Sequence, residues 1–248
     1  MGLSIGSSGG TPLFYNLGPD LQALHLLGST EAESARNLAR DGVAGTWFGT
    51  PSLASAYADT IATTSALTTA VQEAAAFSAI VVCRPTNPGL SGADPDPVYL
   101  STNTGPAAVA PAATINGVSL YTVAATGALT LYVNRWGGVT HGSAPETSVL
   151  SGGNAPPLNA WTIACIRVDN SQQEIRDFVR AKYQLETGKP SRDVTTRKWR
   201  IGGRWSGSVL GEARTAAAAI FSGWLDDAAL AFAAGRVKAI CESRGVTF

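Results

Sequence analysis

The sequence predicts an all-β protein: an antiparallel β-sandwich of jelly-roll type, finished by one C-terminal amphipathic helix. Three observations predict it. Short apolar or alternating runs follow one another at roughly even spacing, each ended by Gly, Pro, Asp or Asn. The hydrophobic period changes to a helical one only at the end, from about Asp226 to Ser243. The 248-residue chain is 45% hydrophobic and 15% charged, enough apolar side chain for a sizeable core and too little charge for intrinsic disorder.

In chain order, residues 1–11 are Gly/Ser-rich and predict a flexible arm, and residues 12–248 form one domain. From Thr11 to Leu27 the text reads as two short extended pieces around the turn Gly18-Pro19-Asp20. Val43–Phe48 and Tyr57–Ile61 are candidate strands. Ala66–Ala76, rich in Ala and Thr with one Glu, is the helix-like stretch of the first half, with a long loop as the alternative. Phe77–Arg84 is apolar on both faces, as a central strand would be, and Pro85–Pro97 is a loop. Val118–Ala124 and Leu129–Trp136 flank Ala125-Thr126-Gly127-Ala128 and predict a hairpin. Trp161–Val168 is a strand before the turn Asp169-Asn170-Ser171. Ile175–Tyr183 alternates and reads as one solvent-facing strand. Lys198–Gly202 and Ala213–Phe221 are the last strands. In the closing helix Leu230, Ala233, Val237, Ile240 and Cys241 share a face, Asp226 or Asp227 caps the start, and Gly245 stands at C′.

Eighteen basic and eighteen acidic residues cancel, which argues against nucleic acid as a partner. The balance is uneven along the chain. Residues 1–150 carry four basic and nine acidic groups (−5), and residues 151–248 carry fourteen and nine (+5). Such halves can pair within one fold, pair between subunits, or simply be solvated. Three cysteines, Cys83, Cys165 and Cys241, each sit in apolar text without C-x-x-C, which predicts buried thiols rather than a disulfide scaffold or a zinc site. MGLSIGSSGG has neither a basic nor an apolar signal region, and no apolar run approaches the ~18 residues of a membrane span, so no secretory signal and no membrane span are expected.

The order of several segments resembles the concanavalin A-like, or laminin-G-like, jelly-roll domains of bacteriophage structural proteins. The segments are Asn37–Gly42 followed by Thr46–Pro51; the strand Phe77–Arg84; Trp161–Val168; Trp199-Arg-Ile-Gly-Gly203; and Ile220-Phe-Ser-Gly-Trp-Leu-Asp-Asp-Ala-Ala-Leu230. The resemblance implies two antiparallel sheets and no particular activity. It also implies a tail, fibre or capsid-decorating subunit, made in the host bacterial cytoplasm and built into the virion. Such a subunit is expected to self-associate, with a trimer by analogy to fibre proteins, and to bind other virion proteins through the arm.

Catalytic constellations are poorly supported. Glucan hydrolases of this fold place two carboxylates on one strand face, ~5–5.5 Å apart for retention. Here the acidic clusters are Glu31/Glu33, Asp94/Asp96, Glu174/Asp177 and Asp226/Asp227; Asp94 and Asp96 alternate with prolines, and Glu174 and Asp177 fall on opposite faces of a strand. The G-x-S-x-G pattern occurs only within the Gly/Ser-rich residues 1–11, not at a strand-to-helix elbow, no phosphate loop is present, and the two histidines are His25, in apolar text, and His141, in a Gly-rich loop. The expectation is a non-enzyme without cofactor or metal, although Asp94 and Asp96 supply the one pair of alternating loop carboxylates for calcium. Trp161, Trp199 and Trp224 read as core. Trp136 and Trp205 end strands beside Gly, Arg135 and Arg204. Trp136, His141, Arg204 and Trp205 are therefore the candidate glycan-binding residues, the rings stacking on sugars and Arg204 and His141 bonding hydroxyls or acidic groups. The alternatives to a virion subunit that adsorbs to host-surface glycans are a carbohydrate-binding module and a glycan hydrolase.

Overall fold

The computed structural model describes residues 15–84, 95–138, 140–141, 144–205 and 211–248. The chain runs β1 (Leu21–Leu26), α1 (Glu31–Ala35), β2 (Thr46–Phe48), β3 (Ser52–Leu53), β4 (Ala58–Ile61), β5 (Ala66–Gln72), β6 (Phe77–Arg84) and β7 (Val98–Ser101). It continues through β8 (Gly105–Pro106), β9 (Thr114–Ile115), β10 (Val118–Val123), β11 (Ala128–Arg135), β12 (Ala144–Leu150) and β13 (Thr162–Val168). The last elements are β14 (Gln173–Asp177), β15 (Lys182–Glu186), β16 (Lys198–Ile201), β17 (Glu212–Ser222) and α2 (Asp227–Ser243). One sheet has the order β15-β14-β13-β6-β17-β4-β3, with β1 also paired to β17; the other has the order β12-β11-β10-β7-β16-β5-β2. Paired strands within these two sheets run antiparallel. The expected β-sandwich with one C-terminal helix is thus the fold.

One core lies between the sheets. Ala79, Val81, Ala164, Ile166, Ala218 and Ile220 meet Leu100, Leu120, Leu129, Leu131, Val133 and Trp199 there. A second core lies outside the first sheet, where α2 covers it. Leu230, Ala233, Ala234, Val237 and Cys241 pack on Ile80, Val82, Ile163, Cys165, Ala217 and Ala219. The alanine run of β17 is explained by this position. β17 has β6 on one side, β4 and then β1 on the other, and a helix across its outer face. Only small side chains admit a helix that close. α2 begins as expected, with the Asp226 carboxylate accepting from the Ala229 N–H at 2.7 Å, and Gly245 follows it at φ 91°. All three cysteines are free and buried.

The strands expected at Phe77–Arg84, Trp161–Val168, Lys198–Gly202 and Ala213–Phe221, and the hairpin around Ala125–Ala128, are present within a residue or so. Two expectations are corrected. Ala66–Ala76 is not helical: Ala66–Gln72 is strand β5, paired to β2 and β16. Thr68, Thr69 and Val71 are β-branched and their pairing is long-range, so tertiary context overrides the helical preference of alanine. Ile175–Tyr183 is not one solvent-facing strand but the hairpin β14–β15. Its turn is made by Asp177, whose carboxylate accepts from the N–H groups of Val179 and Arg180, and Ala181 takes φ 53°. Ile175 and Asp177 are fully buried.

The charge asymmetry closes partly inside the fold. Asp59 pairs with Arg214 at 2.6 Å, Glu146 with Lys189 at 2.9 Å, and Glu73 with Arg192, each an acid of the first 150 residues against a base of the remainder. Residues 1–11 and most of Pro85–Pro97, including Asp94, lie outside the described residues. Asp96 accepts a hydrogen bond from the Ala124 N–H at 2.8 Å.

Candidate functional site

The hairpin β10–β11 turns Leu120, Leu129, Leu131 and Val133 into the core. Strand alternation therefore sends Ser119, Tyr121 and Tyr132 to the outer face of the second sheet, with Ser119 directly opposite Tyr132. These side chains line a depression of about 220 Å³ together with Asp96, Val98, Asn103, Asn116 and Arg204. Its floor is hydrogen-bonded: the Ser119 and Ser101 hydroxyls are 2.8 Å apart, and Ser101 Oγ accepts from the Asn103 N–H at 2.9 Å. On the wall, Asn116 Nδ2 donates to the Tyr132 hydroxyl at 3.2 Å. The lining thus combines two half-buried phenol rings with amide, hydroxyl and guanidinium groups. Apolar ring faces flanked by fixed donors and acceptors suit a polyhydroxylated ligand.

Beyond Arg204 a cationic–aromatic ladder continues on the same sheet. The Arg200 guanidinium lies 3.8 Å from the centre of the Trp205 ring and 4.7 Å from that of Phe48, and Arg197 lies 4.6 Å from Trp205. Trp205 Nε1 donates to the Lys198 carbonyl at 2.9 Å. Burial pulls the Arg200 guanidinium below its ordinary pKa, and neighbouring Arg197 adds to this.

A second depression, of about 260 Å³, is lined by Val109, Trp136, His141, Ser191, Arg192 and Asp193. The Trp136 and His141 rings are 4.4 Å apart, tilted by 45°. His141 Nδ1 lies 3.1–3.2 Å from both Asp193 carboxylate oxygens, and the Trp136 N–H is anchored to the Ser191 carbonyl at 2.8 Å. Behind this layer Arg192 and Glu73 form a buried ion pair.

The four residues expected to share one rim are therefore divided. Trp136 and His141 line one depression and Arg204 lines the other. Trp205 is not an open stacking platform: two guanidinium groups already lie over its ring. Trp199 is buried as expected, whereas Trp161 and Trp224 are half-buried, Trp224 with Arg167 over its ring at 4.7 Å. Tyr121, Tyr132, Asn103 and Asn116 were not singled out by sequence reasoning. The signal for two of them is present: in a hairpin with apolar inward positions, Tyr121 and Tyr132 fall on the outward parity.

No protein-family model and no curated protein matches the chain. Solved structures do. The binding domain of botulinum neurotoxin DC in complex with sialylT matches at TM-score 0.59 and 12% identity, over 94% of this chain and 53% of that one. A botulinum neurotoxin type C structure, whose cell entry is described as dependent upon interaction with two ganglioside molecules, matches at TM-score 0.57 and 11% identity, over 92% and 52%. The botulinum neurotoxin serotype D binding domain matches at TM-score 0.57 and 9% identity, over 90% and 52%. At such identities the likeness is one of fold. This chain spans about half the length of those it matches.

Proposed function

We propose that the protein is a non-enzymatic, glycan-binding β-sandwich subunit of a bacteriophage virion. The observation that carries the binding is the outward groove of Tyr121, Tyr132, Asn103, Asn116, Ser119 and Arg204, whose rings and fixed polar groups match the two surfaces of a sugar. The groove's chemistry favours binding over hydrolysis. Glycoside cleavage needs two carboxylates across the scissile bond. Among the described residues lining the groove the carboxylate is Asp96, already bonded to the Ala124 N–H. The likeness in fold to toxin binding domains described with sialylT and with gangliosides supports the same reading.

The virion half of the proposal rests on the resemblance of segment order to phage jelly-roll domains. It includes a tail, fibre or capsid-decorating position, self-association as a trimer, and attachment through residues 1–11. Imaging of an intact particle that found no copy of the chain would refute it, and light scattering at high concentration tests the trimer. The glycan half is tested by Tyr132→Ala. Binding on a glycan array should fall about tenfold or more, the worth of one good ring contact. The melting temperature should stay nearly unchanged, because the ring lies outside the core. Unaltered binding in that variant would move the site elsewhere.

A further inference from the structure

We propose that the ligand of this groove is an acidic polysaccharide, and that Arg204 is the residue that recognises its carboxylate. The inference rests on the glycan-binding reading above and names the class of glycan.

Arg204 is held by its backbone on three sides. Its N–H donates to the Ala62 carbonyl at 3.0 Å, its carbonyl accepts from Arg200 Nη1 at 2.7 Å, and the next N–H, of Trp205, donates to the Asn103 carbonyl at 2.6 Å. The side chain then lines the groove beside Asn103 and Asn116, and its Nε is buried without a hydrogen-bond partner among the described residues. An N–H in that condition costs free energy, and a small shift of the side chain toward an acceptor in the groove would relieve it. A guanidinium in the lining fits a carboxylate better than it fits a neutral hydroxyl, because the hydrogen bond is then between opposite charges.

Among the described residues no carboxylate pairs directly with that charge. Arg167, Arg176, Arg180, Arg192 and Arg214 each pair with a carboxylate. Arg197, Arg200 and Arg204 have no carboxylate within 4.0 Å among the described residues. Arg197 and Arg200 are neutralised in part by the Trp205 and Phe48 rings, and Arg197 also donates to the Thr104 carbonyl at 3.1 Å. Arg204 thus lines the groove together with Tyr121 and Tyr132, and Arg197 and Arg200 lie against the ring of its chain neighbour Trp205. An acidic sugar whose ring lies on the tyrosines brings its carboxylate toward Arg204, while Arg197 and Arg200 raise the local positive potential. Asp96 is the counter-charge in the lining, and its Oδ1 is committed to the Ala124 N–H.

The test is an array of oligosaccharides in which each uronic-acid glycan is printed beside its neutral methyl ester, probed with the full chain. The expected result is binding of the acid about tenfold or more above its ester, weakening as salt rises. R204Q should bring the acid down to the level of the ester, and R204K should restore part of the difference. Equal binding of acid and ester would overturn the inference and leave the glycan reading standing. A preference for the acid that R204Q retains would overturn the assignment to Arg204. No binding anywhere on the array would overturn the glycan reading and this inference with it. If R204Q fails to fold, the wild-type ratio of acid to ester and its salt dependence decide the matter.

Discussion

Glu73→Gln is expected to be among the costliest single substitutions in the protein. Glu73 directly follows β5, and its side chain and that of Arg192 are both 0% exposed. One carboxylate oxygen pairs with Arg192. The other accepts from Thr102 Oγ1 at 2.5 Å, Thr195 Oγ1 at 2.8 Å and the Thr195 N–H at 3.4 Å. Glutamine keeps the volume but turns an N–H₂ toward a group of donors and removes the charge that offsets Arg192. Breaking one side of a buried pair costs about 3–5 kcal/mol. At about 2–4 °C per kcal/mol for a chain of this size, the melting temperature should fall by roughly 6–20 °C. The control is Asp59→Asn. Its pair with Arg214 is partly solvated, with side chains 15% and 22% exposed, and should be worth about 1 kcal/mol or less. Urea unfolding of both variants and wild type, with unchanged slope, gives the two numbers. If Glu73→Gln costs no more than Asp59→Asn, burial does not set the worth of these pairs and the reasoning fails.

Two further outcomes follow from buried or stacked groups. His25 is fully buried, with Nδ1 at 3.2 Å from the Ser34 carbonyl, and burial lowers its pKa from 6.5 to about 4. The fold then incurs no penalty above pH ~6.5 and is destabilised progressively as pH falls toward ~4, by about 3 kcal/mol in all. His25→Gln should flatten the stability curve in that window, and an unchanged curve in urea melts at each pH would refute it. Trp205→Ala removes two guanidinium contacts and the bond to the Lys198 carbonyl, about 2 kcal/mol together, and calorimetry should show a lower melting temperature. An unchanged melting temperature would mean the ring is free for a ligand after all.

The sandwich was legible because its signals are local. Phe77–Arg84 is apolar on both faces, and the closing helix changes the period from two to 3.6. β5 was not legible, because nothing within Ala66–Gln72 announces that Thr68 will face Thr46 and Arg200. The β14–β15 turn was, in retrospect, encoded by one side chain, Asp177, which also serves the alternating pattern that hid it. α1 carried a readable capping signal, Thr30-Glu-Ala-Glu33, whose hydroxyl accepts from the Glu33 N–H at 3.1 Å. The candidate site was half legible. Aromatic and basic residues beside glycines led to Trp136 and Arg204, but which of them share a depression depends on sheet order, and strand order is non-local.

Sheet order also explains why the groove lies where it does. The two outer faces of a sandwich are chemically distinct only if something covers one of them. Here α2 contacts β6, β13 and β17, all strands of the first sheet, and the small outer side chains of β17 exist to receive it. That face is spent on stability. In the second sheet β10 and β11 send Ser119, Tyr121 and Tyr132 outward, residues too polar for a second helix and too aromatic for a purely solvated surface. Arg197, Arg200 and Arg204 gather near Trp205 on that side without carboxylate partners within 4.0 Å among the described residues, and the Arg204 Nε has no hydrogen-bond partner among them. Unsatisfied donors and half-buried rings on the face without the helix are costs to the free protein, and a bound ligand is what would repay them.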